Sequence, residues 1–325
     1  MSQAETLERA AQTALFHPRR LGHANLYVSD YEKAFDFYHS VVGFEEVYRQ
    51  PDKKASFISN GNTYHDYGLM DVHGDYLAKE PKPGLNHLAF ELENEVALVE
   101  GYRAALKAGV VFTSTQNHDV AHSAYAKDPD GNVVEFYADV FADWRTARSG
   151  VISGKKPKYV PGETDAPKAE SFYPVNPPIR KVDASVFRGR TVSHAGLVAR
   201  NYEEMVDFYT GVAGLTPVAG GRSGSFTLLR GSFGTGDLSL FRQGPGLEAG
   251  LHHVGMDAWS ETDLDRAVAM LPEKGLTLVR DVSHPARRAV TIKDPDGIGL
   301  QFYVNRRWEP SVIATVDAAT APYLL

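Results

Sequence analysis

Residues 22–47, GHANLYVSDYEKAFDFYHSVVGFEEV, align without a gap onto residues 193–218, SHAGLVARNYEEMVDFYTGVAGLTPV. The offset of 171 places His23 on His194, Tyr31 on Tyr202, Asp36-Phe37-Tyr38 on Asp207-Phe208-Tyr209 and Gly43 on Gly214. A second pair of segments matches at an offset of 166: LNHLAFEL (85–92) on LHHVGMDA (251–258), then AKDPDGNVVEFY (126–137) on IKDPDGIGLQFY (292–303). The chain is therefore an internal duplication, and each half holds two linked units. Within a unit the apolar period changes. Ala24, Leu26 and Val28 alternate as in a strand, and Tyr31, Ala34, Phe35, Tyr38 and Val42 recur at helical spacing. Ser29 with Glu32 three residues on predicts a capping box at the helix start, and Gly43 is placed to end the helix. Each DPDG run puts Pro and Gly where a type I turn takes them, between apolar runs that should pair as a hairpin. The unit reads strand, helix, several strands.

Outward from the repeat, 325 residues set a prior of two domains. With 43% hydrophobic and 23% charged residues the chain can bury a core. A net charge of −7 without a long basic run argues against nucleic acid and anionic membrane as partners. Cysteine is absent, which excludes disulfides, thiolate nucleophiles and Cys-held metals, so any metal must sit on histidine and carboxylate. The first twenty residues lack the apolar core of a signal peptide and no 18-residue apolar run follows, so the expectation is a soluble cytoplasmic protein. The repeat divides the chain into an N-terminal extension (1–18), a first domain (19–140), a Pro-rich connector (141–189), a second domain (190–308) and a C-terminal tail (309–325). The connector has no sustained apolar period, although Tyr159, Phe172 and Tyr173 could pack against a domain.

Eight of the twelve histidines fall in the first half, and this imbalance locates the chemistry. His23 and His87 begin equivalent strands of two consecutive units, and Glu135 lies on the strand after the DPDG turn. Two imidazoles and one carboxylate form the facial triad that suits Fe(II) and leaves three coordination positions for substrate and O2. A single histidine at a strand start is most often a hydrogen-bonded structural residue, and that reading stands for His194 and His253. His122 is close enough in sequence to Tyr125 to line the pocket. The helical aromatics Phe35, Phe37 and Tyr38 read as core, and the DPDG carboxylates as turns.

The sequence resembles the type I extradiol ring-cleaving dioxygenases of the vicinal oxygen chelate superfamily, such as catechol 2,3-dioxygenases. The resemblance rests on HDVAHSAYAKDPDGNVVE, His118 to Glu135, which follows the family signature with Ala124 where a larger residue is usual, and on the His65-Asp66 dipeptide. It implies an α+β fold of four βαβββ units arranged as two vicinal oxygen chelate domains, each curling around a concave pocket. It also implies Fe(II), with Mn(II) the runner-up, on His23, His87 and Glu135. In the family the metal usually sits in the C-terminal domain; here His65 corresponds to Gly236, Tyr125 to Thr291 and Glu135 to Gln301, so the N-terminal domain is expected to carry the site.

By resemblance, His65 acts as acid and base beside the oxygen, while His118 and Tyr125 hydrogen-bond the substrate and stabilise developing charge. The implied reaction is extradiol ring cleavage of a catechol-type aromatic by O2, with a homo-oligomer as the assembly. Two alternatives share the fold: a glyoxalase-like metal-dependent lyase or isomerase, and a non-catalytic aromatic-ligand binding protein. The first would normally show a second carboxylate near His65-Asp66, and the second needs neither His65 nor Tyr125.

Overall fold

The structure, a computed structural model, describes residues 13–74, 82–153 and 156–325. Residues 1–12 of the expected extension, 75–81 of the stretch between His65 and His87, and 154–155 of the connector lie outside the described residues. The first half supplies β1 (Arg20–Val28), β2 (Glu46–Gln50), β3 (Ala55–Ile58), β4 (Tyr67–Asp71), β5 (Gly84–Glu91), β6 (Phe112–Asn117), β7 (Ala121–Lys127), β8 (Val133–Asp139) and β9 (Gly150–Val151). The second half supplies β10 (Thr191–Ala199), β11 (Thr216–Gly220), β12 (Phe226–Arg230), β13 (Leu238–Arg242), β14 (Gly250–Asp257), β15 (Leu278–Ser283), β16 (Arg287–Lys293) and β17 (Gly299–Asn305). They form a nine-stranded sheet ordered β6-β7-β8-β5-β1-β4-β3-β2-β9 and an eight-stranded sheet ordered β11-β12-β13-β10-β14-β17-β16-β15. In each sheet the first strands of the two units lie side by side, β1 against β5 and β10 against β14, both antiparallel. Four βαβββ units in two α+β domains result, as the duplication requires.

Helices α1 (Tyr31–Phe37), α2 (Glu95–Lys107), α3 (Tyr202–Asp207) and α4 (Glu261–Met270) link the first and second strands of the units. The cap of α1 differs from the Ser29 capping box. Asp30 accepts from the N–H groups of Glu32 and Lys33, each at 3.1 Å, while the Ser29 N–H, which a capping box would give to Glu32, is held by Asp296 of the other half at 2.9 Å. Past Phe37 the chain makes one wider helical turn to Val42 and stops at Gly43, whose φ of +98° only glycine adopts without strain. Among the described residues no helix is long and apolar enough to cross a membrane.

The two halves share one core. Tyr38, Phe44, Tyr67 and Phe90 of the first are buried in a continuous apolar cluster with Tyr209, Met256 and Phe302 of the second. The polar seams of this interface obey the duplication. Tyr38 donates to Asp294 at 3.2 Å and Tyr209 to Asp128 at 3.0 Å. The Leu21 N–H meets Asp237 at 2.7 Å and the Val192 N–H meets Asp66 at 3.1 Å. Both DPDG turns thus clasp the opposite half, a task that turn propensity alone does not encode.

Candidate active site

Register builds the site. Tyr125 on β7 pairs with Glu135 on β8, Glu135 with Ala89 on β5, and Ala89 with His23 on β1, so four adjacent strands place these residues in one row. Two positions back along β5, on the same face, stands His87. Ala89, small and fully buried, sits between the larger side chains. His23, His87 and Glu135 are at most 6% exposed, and their ligand atoms lie within 4.8 Å of one another. Glu135 Oε2 is 3.1 Å from His23 Nε2 and 2.9 Å from His87 Nε2. Two ligands about 2.1 Å from one ion in adjacent positions would stand about 3 Å apart.

Three observations fit this group to a metal. His87 Nε2 and Glu135 Oε1 are buried without a hydrogen-bond partner, and a lone pair on Nε2 cannot bond the carboxylate 2.9 Å away, since both are acceptors. Asn86 Oδ1 is 2.5 Å from His87 Nδ1, which fixes that proton on Nδ1 and turns Nε2 toward the row. Burial holds the His23 imidazole below its ordinary range. Burial opposes ionisation of Glu135, but the neighbouring His23 and His87 imidazoles hold it well below the usual carboxylate range. A neutral imidazole and an anionic carboxylate are the ligating forms.

A cavity of about 330 Å³ opens over the triad, and its walls include His65, His118 and Tyr125. The His65 ring lies 4.1 Å from that of His23, is 3% exposed and leaves both nitrogens without a partner. Burial, then the neighbouring His23, holds it well below the ordinary imidazole range. His118 Nε2 lies 2.9 Å from the Tyr125 hydroxyl and 3.8 Å from Glu135 Oε1. Burial and Glu135 raise the Tyr125 hydroxyl well above 10, which leaves it a donor. His118 sits on the β6–β7 hairpin, where Asp119 adopts φ +64°, a conformation Asp tolerates in a tight turn.

The sequence profile of the Glyoxalase/Bleomycin resistance protein/Dioxygenase superfamily matches residues 20–136 and 191–302, most of the chain. The chain belongs to that superfamily. It is 25% identical over 249 residues to the catechol-2,3-dioxygenase of Bacillus subtilis (strain 168), covering 76% of this chain and 78% of that protein. Its fold is similar to the 2,3-dioxygenase LapB from Pseudomonas sp. KL28, with a TM-score of 0.64 at 18% identity over 89% of this chain and 93% of the other. It is also similar to the Mn(II)-bound glyoxalase from Novosphingobium aromaticivorans, with a TM-score of 0.63 at 17% identity, covering 90% and 83%.

Other residues near the motifs fall outside the cavity. His122 bonds Glu95 at 2.6 Å and stacks on Tyr159, because three residues along a strand turn it to the face opposite Tyr125. His73 is exposed, and its N–H bonds the Asp71 carboxylate. Asp66, beside His65, faces away from the cavity and holds β10. Sequence reasoning missed Asn86, and it missed Arg148 and Lys156, which reach the cavity from the connector. The Lys156 Nζ is 2.8 Å from His118 Nδ1 and 3.1 Å from Gln116 Oε1. As an ammonium it can only donate, so His118 accepts at Nδ1 and carries its own proton on Nε2, toward Tyr125. Burial, and then Arg148, lowers Lys156 to about 7. No local pattern marks a lysine in a proline-rich segment as part of a pocket 38 residues away in sequence.

Proposed function

We propose that the N-terminal pocket opens a catechol-type aromatic ring with O2, by extradiol cleavage at an Fe(II) held by His23, His87 and Glu135. Such an ion, when bound, supplies chelation of two adjacent oxygens and the electronic path to O2. The chain's own residues manage position and protons. His65, neutral at pH 7 and bare at both nitrogens, is the acid and base beside the ring. His118, with its proton on Nε2, and Tyr125 donate to the substrate and to charge that develops on it. The observation that carries this reading is His65: a buried imidazole with two unpartnered nitrogens, 4.1 Å from the ring of a metal ligand, has no structural bond to make. The similarity to catechol-2,3-dioxygenase supports it.

The test is to load the protein with Fe(II) under argon and expose it to catechol in air. A yellow ring-opened product with one O2 consumed per catechol is expected. Metal loading with no oxygen uptake on any vicinal diol, together with turnover of a thiol hemithioacetal, would instead establish the glyoxalase-like reaction.

A further inference from the structure

Metal binding and proton transfer leave two cationic side chains of the cavity unexplained. Arg148 is 2% exposed and lines the cavity, and its Nε is buried without a partner. Its Nη2 bonds Asp119 at 3.0 Å, but that carboxylate is half exposed and offsets the charge only in part. Lys156 lines the same cavity and meets only neutral partners, Gln116 and His118, which leaves one of its three protons unassigned. Among the described residues Glu135 is the single carboxylate of the lining, and it is committed to the triad.

The ledger of charge is one-sided. A divalent ion on Glu135 leaves the pocket with an excess positive charge, to which Arg148 and Lys156 add. A catechol bound through its oxygens offsets the ion alone. Buried cationic donors without an anion are costly, and a ligand that brings one removes the cost. Both cations come from the connector, on either side of β9, which pairs with β2 at the edge of the sheet that carries the triad.

We infer that Arg148 and Lys156 form an anion subsite, and that the ring taken by this pocket carries a carboxylate. This rests on the catechol reading above and names its substrate class. A carboxylate beside it should hold Lys156 in its charged form, against the burial that lowers it to about 7.

The test is equilibrium binding to the Fe(II)-loaded full chain without O2, so that no turnover intrudes. The probes are 2,3- and 3,4-dihydroxybenzoate against the matching dihydroxybenzamides, which keep shape and lose charge. At least one acid should bind roughly 10- to 100-fold tighter than its amide, the range of a charge-assisted hydrogen bond. Arg148→Met should bring that ratio toward one, and Arg148→Lys should keep part of it. The wild-type ratio needs no variant, so misfolding of Arg148→Met would not protect the idea. Equal binding of acid and amide in both ring series overturns the anion subsite and leaves the catechol reading intact. Failure of every catechol to bind overturns both.

Discussion

The two halves place equivalent residues in equivalent strands, yet one holds an open pocket over a ligand triad and the other a filled one. In the second half Thr291, Gln301, Gly255 and His194 form the row that Tyr125, Glu135, Ala89 and His23 form in the first. With Gly255 in place of Ala89, the His194 imidazole lies where a Cβ would stand. Its Nε2 is 3.1 Å from His253 Nε2, and Gln301 offers two buried amide atoms without partners. Burial holds both histidines well below the ordinary imidazole range, and Arg287, buried between the rings of Tyr303 and Trp308, adds a positive charge beside them. The wall positions also diverge. Tyr27, Phe57 and Met70 line the first cavity, whereas Val198, Leu228 and Phe241 are buried beneath Ile313, Val316, Leu324 and Leu325 of the C-terminal tail. One scaffold thus becomes a site or a core according to a carboxylate, a cation and a strip of apolar tail.

The hardest test of that contrast copies the second half into the first. Glu135→Gln should reduce bound metal from one ion per chain to near zero by elemental analysis. The affinity loss should exceed the roughly 10- to 100-fold that outer-shell changes cost, since an anionic ligand is removed. The reverse change, Gln301→Glu, should gain no metal while Arg287 remains, because the new carboxylate finds a guanidinium before it finds an ion. Metal retained by Glu135→Gln, or gained by Gln301→Glu alone, would break the comparison.

His65 has no imidazole counterpart, since Gly236 occupies its place. His65→Phe should keep full metal content, while turnover falls by about 10²- to 10⁴-fold in kcat more than in KM. His73→Phe should be silent, as that ring is exposed and outside the cavity. A crippled His73→Phe beside an active His65→Phe would reassign the acid and base.

The duplication was readable because strand and helix periods, Gly43 and the DPDG turns are local signals that each half repeats. The triad was readable for the same reason: His23 and His87 begin the matched first strands of consecutive units, Glu135 follows a repeated DPDG turn, and pairing of β1, β5 and β8 does the rest. What stayed hidden is set by distant parts of the chain. The Ser29 N–H that a capping box would give to Glu32 goes to Asp296, 267 residues away. Arg148 and Lys156 enter the pocket from a segment without periodicity, and the C-terminal tail fills the second pocket with apolar side chains and a bond from Arg287 to the Leu324 carbonyl. None of these leaves a mark in its own neighbourhood of sequence.

The interface seams sharpen the comparison at a smaller scale. Burial pushes both Asp66 and Asp237 up to about 6, against their bonds to backbone N–H groups of the opposite half. A carboxyl whose value in the fold lies above its unfolded value near 3.9 binds its proton more tightly when folded. Its contribution is therefore fully present below about pH 4 and is lost as pH rises through about 6, by about 3 kcal/mol per group. Asp66→Asn should flatten the stability curve by about that amount between pH 4 and 7, measured by urea unfolding across pH. The Ser59 hydroxyl can rotate to accept from the new amide. Asp237→Asn should flatten it too, but with a cost at every pH, because its amide would face either the Leu21 or the Gly231 N–H as a second donor. Identical curves for Asp66→Asn and the wild type would remove these carboxyls from the account of the seam.

The smallest difference lies in the DPDG clasps. Asp130 accepts from the Arg200 N–H at 2.6 Å, the Asn201 N–H at 3.0 Å and the Asn201 side chain at 2.8 Å, at the entry to α3. Asp296 accepts from the Ser29 N–H at 2.9 Å, at the entry to α1. The cause of the inequality is the cap. Asn201 makes no side-chain cap bond to α3, so Asp130 satisfies the entry from across the interface, whereas Asp30 already caps α1 from within. Asp130→Ala should then cost about 1 kcal/mol, the usual loss of an N-cap, and Asp296→Ala about half of that. Neither should alter metal content, since both turns lie away from the triad. Urea midpoints at pH 7 check the order, and equal losses would mean that the clasps act as ordinary surface bonds indifferent to the cap beside them.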